Sequence, residues 1–134
     1  MSKELDERVK NKIPKRGEIW LIKCDKIKEF SKDYRPALII SNDLQNEYGE
    51  YVAVAMMTTD DLENVRLFEV FIKNTSETGL DEPSKICCNY LHTVSKKLRL
   101  VDKKRLGIVS KEVMEKVKKS LKITLNLGEN NYEK

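Results

Sequence analysis

The run Ala37–Ile40, inside YRPALIISND, is apolar without a break and too short to be a packed helix. With Tyr51–Met57, YVAVAMM, it reads as strands buried on both faces. Such strands need cover on each side, so the chain must build a curved or layered sheet. Further strands are expected at Glu18–Cys24, after Gly17, at Leu67–Lys73 and at Ser84–Val94. The second strand is placed at Ala37–Ser41, with Arg35 and Pro36 in front of it. Asp25–Tyr34 is a polar loop. NDLQNEYGE makes a turn or a short helical turn. Asn74–Pro83 is a loop broken by Gly79 and Pro83. KKLRL continues the fifth strand or begins a turn, and Asp102–Leu106 reads as a short helical turn.

The last element has the clearest pattern. Ser110 is a good N-cap and Glu112 suits the first turn. Val113, Val117, Leu121 and Leu125 then recur every four residues, with Met114 beside them, and Gly128 is the expected stop. Strands followed by one amphipathic helix predict a mainly β, α+β domain: a small curved sheet or barrel with the helix packed across it. Residues 1–13 read as a polar helix or arm, 14–128 as the domain, and 129–134 as a polar tail.

The chain has 134 residues, enough for one modest core. Aromatic residues make up only 7 % and charged ones 36 %, so that core must rest on Val, Ile, Leu and Met. No apolar run approaches the roughly 20 residues of a membrane span. The charged start MSKELDERVKNK lacks the apolar region of a signal peptide, so a cytoplasmic protein is expected. Cys24, Cys87 and Cys88 are an odd set with two adjacent, which fits a reducing compartment rather than a disulfide framework. Eleven basic and three acidic residues between Lys96 and Lys122 give that segment +8, while the chain as a whole carries +4. Such a basic region points to a polyanionic partner such as nucleic acid, or to a solvated helix face.

Several chemistries are excluded. The five scattered glycines form no phosphate-cradling loop. His92 is the only histidine, which rules out a site of two or three histidines, and no metal or cofactor is expected. Cys87 and Cys88, being adjacent on a strand, would point to opposite faces and serve as packed thiols. A Cys88–His92 pair would share a face but lie two pleats apart. What remains is a set of polar residues at strand ends: Arg35 before the second strand, Thr58 and Thr59 after the third, and Asn89, Tyr90, His92 and Thr93 on the fifth. In one sheet, some of these ends converge on a groove where an arginine neutralises a phosphate. The plainer readings are a salt bridge from Arg35 to Asp33 or Asp43, and a strand-end cap by Thr58.

The order PKRGEIWLIKC, YRPALIISND, YVAVAMMTT, followed by HTVSKKLRLVDKKRLGIVSKEV, resembles the PemK/MazF family of toxin endoribonucleases from about Pro14 to Gly128. The resemblance implies an SH3-like barrel with a C-terminal helix, forming a homodimer. It implies metal-independent, sequence-selective cleavage of single-stranded RNA by 2′-OH attack, giving a 2′,3′-cyclic phosphate and a 5′-OH. It makes Arg35 the arginine at the scissile phosphate and Thr58 the strand-end threonine beside it, with His92 a candidate acid or base. RNA contacts are expected from Lys28, Phe30, Lys32, Tyr34, Thr59, Asn89, Tyr90 and Thr93, the first four lying in or beside a flap-like loop. A cognate acidic antitoxin is implied as partner, with DNA binding by their complex. Cys87 and Asn89 depart from the family pattern, standing where PemK-type members carry an arginine and an aspartate. Two alternatives stay open: a weak or inactive RNA- or antitoxin-binding module of the same fold, and a gyrase-poisoning toxin.

Overall fold

The computed structural model describes residues 13–24 and 33–128. The N-terminal arm up to residue 12, the tail from 129, and the expected RNA contacts Lys28, Phe30 and Lys32 lie outside the described residues. In order, the elements are β1 (Glu18–Lys23), β2 (Tyr34–Ile39), α1 (Asp43–Tyr48), β3 (Tyr51–Thr58), β4 (Glu69–Ile72), β5 (Ser84–Ser95), α2 (Lys96–Arg99), β6 (Leu100–Ile108) and α3 (Lys111–Thr124). All six strands join one antiparallel sheet in the order β4-β5-β3-β2-β1-β6. This curled sheet with its helices is the α+β architecture expected from the strand and helix patterns.

The two continuous apolar runs sit in the centre of the sheet, where both faces are covered. Ile19, Leu38 and Ala55 pair across β1, β2 and β3 and pack on one face with Met57, Ile86 and the α3 residues Val117 and Leu121. Trp20, Ala37 and Met56 pair across the same strands and build a second core on the other face with Ile22, Ile39 and Val54. Helix α3 starts where the sequence places it, with the Ser110 hydroxyl accepting from Val113 N–H at 3.2 Å. It ends earlier than Gly128: Asn126 takes the left-handed conformation at φ 56°, and Leu125 stays 49 % exposed instead of joining the buried stripe.

The largest departure is β6. Asp102–Leu106 forms no helical turn but runs antiparallel to β1, with Trp20 opposite Arg105. An edge strand tolerates a charged run that a central strand would not, and charge there blocks unwanted pairing. Arg105 also reaches Glu18, a buried carboxylate that accepts from its guanidinium at 2.9 Å and from the Trp20 indole at 3.1 Å. KKLR makes the single turn α2, capped by Ser95.

Candidate active site

Strand β2 begins at Tyr34, three residues earlier than expected, so Arg35 is part of the strand and pairs with Ile22 of β1. Pro36 sits opposite Leu21 in the β1 ladder and costs no bond to β3, because the β2–β3 pairing starts only at Ala37, opposite Met56. Continued by two positions, that register sets Arg35 opposite Thr58 on the same face. The Arg35 guanidinium is half-buried and donates through Nη2 to the Met57 carbonyl at 2.6 Å. A cleft of about 270 Å³ opens beside it, lined by Tyr34, Arg35, Thr58, Thr59, Asp60 and Ser84 among others. Thr58 Oγ1 accepts from Asp60 N–H at 3.1 Å, the strand-end cap that its position suggested. A hydroxyl that accepts in this way keeps its own O–H donor for another partner. Cap and ligand contact are therefore compatible.

The remaining expected residues do not join this cleft. Strand β5 carries a bulge: Ala55 faces Leu91, while the next residue, Met56, faces Cys87. The inserted residues shift the alternation, so the even spacing from Cys88 to His92 no longer means one face. Cys88 packs in the α3-side core, whereas His92 lies opposite Val54 on the other face. The Cys88–His92 pair is thereby removed. His92 stands roughly 13 Å along the sheet from the Thr58 level, at about 3.3 Å per residue, and its ring meets Tyr90 edge-on at 5.0 Å. Asn89 and Thr93 are exposed on the same strand, away from the cleft lining.

The structure brings a further residue, Lys85, to the level of Thr58. Lys85 faces Thr58 across the β3–β5 ladder and is only 2 % exposed. Its ammonium donates to the carbonyls of Asp61 and Asn64 at 2.8 and 2.9 Å and to the Glu69 carboxylate at 3.2 Å. Burial pushes the Glu69 carboxyl up, but the Arg66 N–H, the Lys85 ammonium and both cationic charges together hold it below the ordinary 4.5. The folded carboxyl is thus the stronger acid, and its stabilising effect is present above about pH 4.5 and lost as the pH falls. In urea titrations the stability gap between wild type and Glu69→Gln is expected to close between neutral pH and pH 3.

Cys87 and Cys88 point to opposite faces, as adjacency requires. Burial raises both thiols; that of Cys88 is pushed up to about 12, with neighbouring Cys87 adding to the effect. At Cys87 the Glu69 charge raises the thiol further, while Lys85 and Arg35 pull it back. Three units of pKa lower the thiolate fraction about a thousandfold. Native protein at pH 8 is therefore expected to resist a disulfide reagent at Cys88 and to react fully only when unfolded. Prompt labelling of folded protein at Cys88 would contradict this placement.

The basic residues of helix α3 also lie elsewhere than the cleft. Helix α3 covers the core face opposite Arg35 and Thr58, with Lys111, Lys116, Lys118, Lys119 and Lys122 exposed on it. Among the described residues no helix is long and apolar enough to cross a membrane.

With this geometry in place, known proteins supply a context. The family model of PemK-like, MazF-like toxins of type II toxin–antitoxin systems matches residues 15–125. No curated protein sequence matches the chain. Among solved structures, an endoribonuclease from Mycobacterial species superposes with a TM-score of 0.69 at 21 % identity, covering 87 % of this chain and 95 % of that one. The Mycobacterium tuberculosis toxin MazF-mt6 gives 0.67 at 20 % identity, covering 84 % and 99 %. A MazE–MazF structure from Deinococcus radiodurans gives 0.62 at 18 % identity, covering 87 % and 98 %. At these identities the likeness shows a shared fold.

Proposed function

The chain belongs to the PemK-like, MazF-like toxin family of type II toxin–antitoxin systems, and we propose that it cuts single-stranded RNA without a metal ion, at the Arg35–Thr58 cleft. The observation that carries this reading is that Arg35 and Thr58 line one cleft, at strand positions that the β2–β3 register, continued from Ala37 and Met56, brings level. Attack of a ribose 2′-OH on the adjacent phosphate builds negative charge on the phosphorane oxygens. A preorganised guanidinium stabilises that charge more than the ground state, which is what accelerates the step. The Thr58 hydroxyl donates to the same phosphate. The P–O5′ bond then breaks and the leaving 5′-oxygen takes a proton from solvent water, leaving a 2′,3′-cyclic phosphate and a 5′-OH.

The proton of the 2′-OH needs an acceptor. His92 lies too far along β5 for that role, and Cys87 and Asn89 supply no base. Asp60 brings a carboxylate to the cleft wall beside Thr58, and we assign it the role of base. Tyr34, 48 % exposed at the cleft mouth, offers a ring on which a base can stack. The same reading includes a homodimer, a cytoplasmic setting and a cognate acidic antitoxin, whose complex with the toxin binds DNA; similar structures are described as toxin–antitoxin complexes.

A second reading, a binding module that cuts slowly, draws on Cys87: burial makes its thiol a poor proton donor or acceptor. Incubation of a long mixed-sequence RNA with purified protein in EDTA separates the two. Fragments with 5′-OH ends, confined to a few sequence contexts, support the nuclease. Intact RNA that is nonetheless bound supports the module.

A further inference from the structure

Lys85 is a costly residue to place where it stands. Lysine is almost never fully buried unless paired, and an apolar side chain of similar size would serve a buried strand position at least as well for stability. A buried lysine is therefore a sign of something an apolar residue could not do. What Lys85 does is specific: its three N–H donors meet three acceptors, the carbonyls of Asp61 and Asn64 and the carboxylate of Glu69. The two carbonyls mark the ends of one tight turn. Asp61 is left-handed at φ 52°, and Asn64 closes the turn by donating its N–H to the Asp61 carbonyl and its amide to the Asp61 carboxylate. Glu69 anchors the tie to β4 and accepts from Arg66 N–H at 3.0 Å.

This turn directly follows Thr58, Thr59 and Asp60. Asp60 N–H donates to Thr58 Oγ1, so the placement of Asp60 and the direction of the Thr58 hydroxyl are coupled to the turn that Lys85 holds. We infer that Lys85 is a positioning residue: by tying the Asp61–Asn64 turn to Glu69 of β4, it fixes the Thr58–Asp60 wall against which the scissile phosphate is held. The inference rests on the proposed RNA cleavage at Arg35 and Thr58. Lys85 touches no substrate in this arrangement and acts through its neighbours.

A double-mutant cycle tests it. Single-turnover and steady-state cleavage would be measured for wild type, Lys85→Met, Thr58→Ala and the double variant, on the RNA cut in the EDTA assay. Lys85→Met is expected to lower kcat about tenfold, with KM within about twofold, because misplacing a reacting group costs rate more than affinity. In the Thr58→Ala background the same change should cost clearly less than about tenfold, since Thr58 carries part of its route and only the Asp60 part remains. An unchanged kcat, or the full loss in both backgrounds, overturns the proposal. Amide hydrogen exchange gives a readout independent of activity. Exchange at Asp60 and Asn64 should rise in Lys85→Met while Val54 and Ala55 stay protected. A uniform rise across β3 would mean global loosening and would overturn the positioning role. If Lys85→Met does not fold, Glu69→Gln, which keeps an oxygen acceptor, should show the same local pattern more weakly; a global rise there overturns the role as well. If wild type cuts no RNA, the nuclease reading fails, while the exchange pattern still decides whether Lys85 holds this wall.

Discussion

Arg35→Ala is expected to lower RNA cleavage by about 10²–10³-fold, the loss typical of removing one preorganised donor from a developing oxyanion. The reasoning starts from the strand. Residues behind Arg35 (Ala37, Leu38 and Ile39) are completely buried, so the backbone that carries the guanidinium has no room to shift. The bond from Nη2 to the Met57 carbonyl then fixes the plane of the group next to the cleft. A charge held in this way needs no reorganisation when the phosphorane forms. Removing it costs stability less by comparison: the hydrogen bond to the Met57 carbonyl is worth about 1 kcal/mol. Folding, followed by thermal melting, should thus be nearly intact while cleavage is lost. Arg35→Lys separates charge from geometry. Lysine retains the positive charge but not the planar fork, so a rate between those of wild type and Arg35→Ala is expected. RNA binding, measured by anisotropy at fixed salt, should weaken far less than the rate falls. If Arg35→Ala cuts at the wild-type rate, the cleft is not where the chemistry occurs.

Much of this arrangement could be read from residues alone, and the failures have definite causes. Apolar runs located β3 and the core of β2 because central strands leave no polar face, and β-branched and aromatic residues marked β1. The same reasoning started β2 too late: Pro36 looked like a boundary, yet it falls where the β3 ladder has not begun. β6 was missed because its DKKR core has no apolar alternation, and an edge strand does not need one. The Arg35–Thr58 pairing depends on sheet order and register, which no local pattern encodes. Strand-end convergence was thus expected in kind but only part of it was realised. The β5 bulge explains the rest. Its inserted residues reverse the face of everything beyond Cys88, so His92 and Cys88 could not be placed by counting pleats. Lys85 escaped notice for a related reason. At the head of an apolar strand a lysine looks like a solvated end, and only the turn folding back over it buries the ammonium.

Gly79→Ala is expected to destabilise the fold by about 2–5 kcal/mol, a large part of the 5–15 kcal/mol typical of a domain. Two costs add. Gly79 sits at φ +68°, where an L side chain costs about 1–2 kcal/mol. A Cβ there would also lie 1.8 Å from the Leu106 carbonyl oxygen, a backbone atom that cannot swing aside. Overpacking of this kind costs about 1–3 kcal/mol. The contact is reciprocal: a Cβ on Gly107 would come within 2.2 Å of the Glu77 carbonyl, and Ile108 N–H donates to that same oxygen at 2.9 Å. The loop before β5 and the end of β6 thus touch backbone to backbone, which joins the edge strand β6 to the far side of the curled sheet. A melting temperature lower by about 10–20 °C is the expected result. Gly79→Asn divides the two costs, because asparagine enters the left-handed region readily but still carries a Cβ. If the asparagine variant is nearly as unstable as the alanine one, close approach dominates. Gly107→Ala, whose φ lies outside the left-handed region, should then be comparably damaging through contact alone. Variants melting within about 2 °C of wild type would mean that the loop and β6 separate easily, and that the sheet is held closed by β1 alone.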